Sequence, residues 1–208
     1  MNITVVALLA FVLCHSSLAE DRLKPLPKDF KSLKILAEKN DAEAQFQLAD
    51  KFYHGQGVER DYAQSFKWAS RSVGQGNPKS QFRLGSLYLQ GRGIPKDENK
   101  AQALFKECVK RIKELADQGD SQAQFFLGLM HQRGRGIEVD SKEAIKWFRE
   151  AAVQNYSQAQ FALGAAYSKG RGVGRDYKES VRWYRKAADQ DHPVAQNNLG
   201  VKYANGQG

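Results

Sequence analysis

Cysteine is nearly absent from this sequence: Cys14 and Cys108 are the two among 208 residues. Long apolar runs are missing as well. The run from Ile3 to Leu13 has eleven residues, and a bilayer span takes about 20. Ser17-Leu18-Ala19 follows it, with small residues at the −3 and −1 positions of a cleavage site. Residues 1–19 therefore read as a secretory signal peptide, and the chain as exported to the periplasm or the medium with no transmembrane segment once processed. A lipoprotein signal ending at Cys14 is the rival, but Leu13 is bulky where such signals carry a small residue. Removal of the signal would take Cys14 with it, and a lone Cys108 excludes an internal disulfide.

Histidine is scarce too, at four residues. His54, His131 and His192, outside the signal, share no close-spaced pair with another ligand, which argues against zinc. No Ser/His/Asp or paired-carboxylate arrangement stands out, so neither an enzyme nor a cofactor is expected. The Gly-Arg-Gly triplets at 91–93, 134–136 and 170–172 lack the preceding strand and the Gly-Lys-Ser/Thr ending of a phosphate loop.

What the chain has is repetition. A small residue and Gln recur at Ala44-Gln45, Ser80-Gln81, Ala123-Gln124, Ala159-Gln160 and Ala195-Gln196, with Gln spacings of 36, 43, 36 and 36. Leucine follows three residues after each Gln, a small residue at four (Gly85, Gly128, Gly164 and Gly200 in the later copies) and a ring at seven. These offsets trace one face of a helix, A. A Gly-x-Gly then ends it, since glycine accepts the left-handed conformation of a helix C-terminus. The recurrent glycine within helix A predicts another helix crossing there too closely to admit a side chain. Asp61, Asp97, Asp140 and Asp176 open a second helix, B; Gln64, Glu143 and Glu179 three residues on complete a capping-box pattern. The buried stripe of B reads Ala144, Trp147, Phe148, Ala151, Ala152 in the third copy, and Cys108 takes a small packing position in the second.

The pattern A-Q-x-x-L-G-x-x-Y-x-x-G-x-G-V…D-x-x-x-A-x-x-W-[FY]-x-x-A-A, as in 159–188, resembles the Sel-one-like repeat (SLR) family, relatives of tetratricopeptide repeats. The resemblance implies an all-α, α/α superhelical solenoid of helix–Gly loop–helix units of about 36 residues that mediates protein–protein interaction. It implies no catalytic residue. The disulfide that the cysteine-rich branch of the family carries is not available to this chain.

The organisation expected is a signal at 1–19, an exposed lead-in at 20–32 and a solenoid at 33–208, with repeats at about 41–76, 77–119, 120–155, 156–191 and a partial 192–208. Residues 30–39 resemble the end of a B helix and are expected to cap the stack. The extra seven residues of the second spacing fall in its B helix. Seven residues turn about 700°, so the apolar stripe keeps its side while the helix lengthens by about 10 Å and protrudes from one edge. The sequence ends inside the loop of the fifth copy, so a fragment lacking its last B helix is expected.

Binding is expected at positions that packing does not use up, on the concave side lined by A helices. The third copy is the most apolar there: Phe125, Phe126, Leu129 and Met130 join Phe82 as candidate partner contacts, unless the long B helix covers them. Net charge is +9, and basic residues crowd the fourth repeat, with Arg171, Arg175 and Arg182 as candidates for an acidic protein or an anionic envelope surface. The partner expected is a protein or peptide and not nucleic acid, because the chain is exported. An envelope enzyme acting on peptidoglycan is the first rival. A eukaryotic lumenal quality-control component, suggested by the sequon Asn155-Tyr156-Ser157, is the second.

Overall fold

A computed structural model describes residues 26, 27 and 29–207; the expected signal peptide lies outside them. Among the described residues there are ten α-helices and no strand. They are α1 Phe30–Glu38, α2 Ala42–His54, α3 Tyr62–Val73, α4 Pro78–Gln90, α5 Glu98–Asp117, α6 Ser121–Arg133, α7 Ser141–Val153, α8 Ser157–Lys169, α9 Tyr177–Ala188 and α10 Pro193–Ala204. The even-numbered helices are the A helices and α3, α5, α7 and α9 are the B helices. Helix α1 caps the array, burying Leu33 and Ala37 against α2.

Each B helix starts where an aspartate accepts the N–H three residues on: Asp61 from Gln64, Asp97 from Lys100, Asp140 from Glu143 and Asp176 from Glu179. The reciprocal half of the capping box does not form. The N-cap N–H donates instead to the carbonyl of the preceding ring residue, at 2.9–3.0 Å from Asp61 to Phe52, Asp97 to Tyr88, Asp140 to His131 and Asp176 to Tyr167. That bond ties the loop back onto helix A. It frees Glu143 and Glu179 to pair with Lys146 and Arg182 on the helix surface.

The helix-A glycines mark the predicted crossing. A Cβ on Gly85, Gly128 or Gly164 would stand 2.8, 2.5 and 2.5 Å from the rings of Phe105, Phe148 and Tyr184. No helix presents a ring to Gly200, which faces open space. The recurrent Gln has a packing task that its use as a marker did not reveal. Its amide donates to the carbonyl eight residues back, at the end of the previous B-type helix: Gln45 to Ala37 at 3.0 Å, Gln124 to Ala116, Gln160 to Ala152 and Gln196 to Ala188. Its carbonyl accepts from a Gln at the end of the next B helix, as with Gln75 to Gln45, Gln154 to Gln124 and Gln190 to Gln160. Orphaned helix-end carbonyls are thereby satisfied inside the stack.

Gln81 forms neither bond, and the Gln that would donate to it, Gln118, ends a B helix longer by seven residues. Helix α5 is unbroken over 20 residues and buries Ala101, Phe105, Cys108, Ile112 and Ala116 along one side. Counted from its first residue it matches its relatives: Phe105 is eighth and lies over Gly85, as Phe148 lies over Gly128. Counted from the other side it is displaced. Gly93 and Gly172 abut the first residues of α3 and α7, Tyr62 and Ser141, whereas Gly136 abuts Phe105 and Lys106. The extra length therefore does not jut from one edge. It overhangs α4 at one end and the α6–α7 loop at the other, and slides the later repeats past the earlier ones by about 10 Å.

A cation-lined groove between the A helices

Residues from all five A helices surround one groove of about 420 Å³. Its wall is apolar: Phe82, Phe125, Leu129, Phe161, Ala162 and Ala165. Its floor holds Arg83, 4% exposed, whose guanidinium is ion-paired with the buried Asp50 and lies 3.9 Å from the Tyr53 ring centre. Burial pushes the Asp50 carboxyl up, but the Arg83 guanidinium overrides it and the group sits below the usual carboxylate range. Arg83 also donates to His54 Nε2 at 3.2 Å, so the ring proton belongs on Nδ1.

Burial pushes the His54 imidazole down to about 4, and the Arg83 charge adds to this against the pull of Asp50. The unfolded chain, with a histidine near 6.5, binds the extra proton between these values. His54 thus contributes stability that is full above about pH 6.5 and lost as pH falls toward 4. Burial lowers His192 in the same sense. Wild type should lose on the order of 1–2 kcal/mol of unfolding free energy from pH 7 to pH 5, and His54→Gln should lose visibly less. Urea titrations at the two pH values check this; equal losses would refute it.

Arg135, centre of the second Gly-Arg-Gly, is 5% exposed and has no carboxylate partner among the described residues. Its Nη1 donates to Ser86 Oγ at 3.1 Å, its Nε has no partner, and the guanidinium lies 5.4 and 5.2 Å from the rings of Phe82 and Phe105. Burial pushes it down to about 10, which still leaves it charged at neutral pH. Arg133, Lys169 and Arg171 stand exposed around the same groove, and no carboxylate lines it. Beside the groove, the buried Lys79 ammonium bridges Glu43 of α2 at 2.7 Å and Asp120, the N-cap of α6, at 3.1 Å. Burial lowers its pKa, and the two carboxylates more than reverse that.

Of the residues singled out in the sequence, Phe82, Phe125, Leu129 and Arg171 line the groove. Phe126 and Met130 are fully buried. Phe126 stacks on Phe82 at 4.6 Å and meets Phe46, two A helices away, edge-on at 6.0 Å. Rings from other A helices, with the long B helix behind Phe82, therefore cover this part of the patch. Arg175 lies over Tyr177 and Arg182 pairs with Glu179, both outside the groove. Arg83, Arg135, His54 and Lys169, which also line it, are not among the partner contacts expected from the sequence. Cys108 is buried and its thiol is pushed up to about 12, so it packs as a small apolar group. Asn155 sits at the left-handed turn between B and A helices, where Gly76 and Gly119 stand in other copies. That turn accounts for the asparagine of the sequon without a glycan.

A family model described as Sel1 repeat matches residues 42–77, 78–107, 121–156, 157–192 and 193–208. The unmatched 108–120 contain the extra turns of α5. Two Arabidopsis thaliana proteins, the ERAD-associated E3 ubiquitin-protein ligase components HRD3A and HRD3B, are similar over parts of the chain. HRD3A is 33% identical over 67 residues, 32% of this chain and 10% of that protein. HRD3B is 26% identical over 73 residues, 35% and 12% respectively. The chain thus spans about a tenth of the length of these curated relatives. Among solved structures, a protective antigen of uropathogenic Escherichia coli with an SLR fold is 36% identical, with a TM-score of 0.48 over 86% of this chain and 37% of that one. A Sel1 repeat protein from Oxalobacter formigenes is 32% identical, with a TM-score of 0.49 over 84% and 69%.

Proposed function

The chain belongs to the Sel1 repeat family, whose members mediate protein–protein interaction, and from that premise we propose that it is an exported, non-catalytic adaptor holding a segment of another protein. The observation that carries the reading is the groove enclosed by all five A helices. Packing leaves an apolar wall and a ring of cations there, although each helix has already buried its own stripe. Export rests on residues 1–19, and the envelope or the medium is where such an adaptor would meet its partner. No described helix is long and apolar enough to cross a membrane.

The test is capture of partners by the purified mature chain, with groove and face variants side by side. Leu129→Asp changes the groove wall, and Arg182→Glu changes the exposed face of α9. Loss of capture with Leu129→Asp and retention with Arg182→Glu is expected; the reverse would move recognition to the basic face. Phe126→Asp would not discriminate, because Phe126 is core and its loss would disturb folding. N-terminal sequencing of the exported protein should begin at Glu20, and turnover of cell-wall substrate by the purified protein would overturn the non-catalytic reading.

A further inference from the structure

Resting on the adaptor reading, we infer that the partner segment is acidic, with a carboxylate seated on Arg135 and a neighbouring apolar side chain against Phe125, Leu129 and Phe161. A buried guanidinium without a counter-charge is costly to keep. Ser86 takes one of the Arg135 donors, while its Nε has no partner. The nearby carboxylate, Asp50, is already occupied by Arg83. Arg133, Lys169 and Arg171 form no ion pair within the described residues, so the rim repels cations and draws anions inward. The guanidinium is walled by the Phe82 and Phe105 rings and lines the groove, where Nη2 is neither bonded nor fully buried, and a guanidinium fork is the geometry that a carboxylate matches with both oxygens.

The lining, one sunken guanidinium beside the apolar Phe125, Leu129 and Phe161, matches a short segment carrying one acidic and one or two apolar side chains. Arg92 and Arg171 occupy the same place in their own triplets but are exposed. Only Arg135 is sunk, because the displaced α5 brings Phe105 beneath its loop.

Fluorescence anisotropy of labelled ten-residue peptides tests this, using one apolar framework that carries Asp and Glu, their amides, or Lys, each with a free or an amidated C-terminus. The acidic set should bind at least tenfold tighter than the amide set, and the Lys set should not bind. Binding of the acidic set should survive amidation of the C-terminus, because the seated carboxylate is a side chain's; its loss would overturn the inference. Arg135→Met should weaken the acidic peptide at least tenfold while raising the melting temperature, since it removes an uncompensated buried charge. Arg92→Met should change neither. Equal binding of acidic and amide peptides, or a lower melting temperature for Arg135→Met with unchanged binding, would overturn the inference. Capture that still depends on Leu129 would leave the adaptor reading standing in that event.

Discussion

Asp50→Ala is expected to destabilise the fold by about 3–5 kcal/mol, the range found when one member of a buried ion pair is removed and the other stays behind. Arg83 is 4% exposed, its Nε already lacks a partner, and rings and the His54 imidazole surround it. With Asp50 gone, its charge keeps only the neutral His54 imidazole and the surrounding rings as partners. The double replacement Asp50→Leu with Arg83→Met removes both charges and keeps the volume, so it should recover most of the loss. Urea-unfolding midpoints of the three variants measure this. A cost under about 1 kcal/mol for the single change, or a double variant no better than the single, would show that the pair is not what links α2 to α4.

Gly172→Ala should cost about 2–5 kcal/mol, whereas Gly57→Ala, at the same place in the first loop, should cost about 1–2. Both glycines have left-handed backbones, with φ +73° and +71°, so the penalty for an L side chain in that conformation is shared, at roughly 1–2 kcal/mol. They differ in what lies ahead of the missing side chain. A Cβ on Gly172 would stand 2.1 Å from the Ser141 carbonyl oxygen, a backbone atom at the head of α7 that cannot swing aside. One on Gly57 would meet nothing within 4 Å. The same step back along the chain from Gly57 reaches Leu26, which precedes α1 and is not helical. The difference between the two variants isolates overpacking, worth roughly 1–3 kcal/mol. Equal thermal shifts would mean that the second glycine serves only the turn.

The repeat, its all-helical architecture, the crossing at Gly85, Gly128 and Gly164, and the continuity of α5 were legible because each is periodic and local. The aspartate caps were legible for the same reason, but the other half of the capping box was not. A carbonyl nine residues back competes for the same N–H, and sequence spacing does not show which acceptor is nearer. The groove was harder still. Phe82, Phe125 and Leu129 line it, but Phe126 is covered by Phe46 from two A helices earlier, a contact 80 residues distant. Arg135 looks identical to Arg92 and Arg171 in its triplet; a length difference elsewhere in the chain is what buries it. Asp50 and Arg83 stand 33 residues apart in different repeats, at no spacing that marks a pair.

An array of identical units has no landmark: a ligand that fits one unit fits the next, and a bound strand could ratchet along by whole units. The dislocation at α5 removes that degeneracy. Among the described repeats it sets one junction out of phase with the others, and Arg83, Arg135 and the ring of Phe126 converge beside it. A strand bound there has a fixed address along the coil, and excising seven residues from α5 would erase the address while leaving each unit intact.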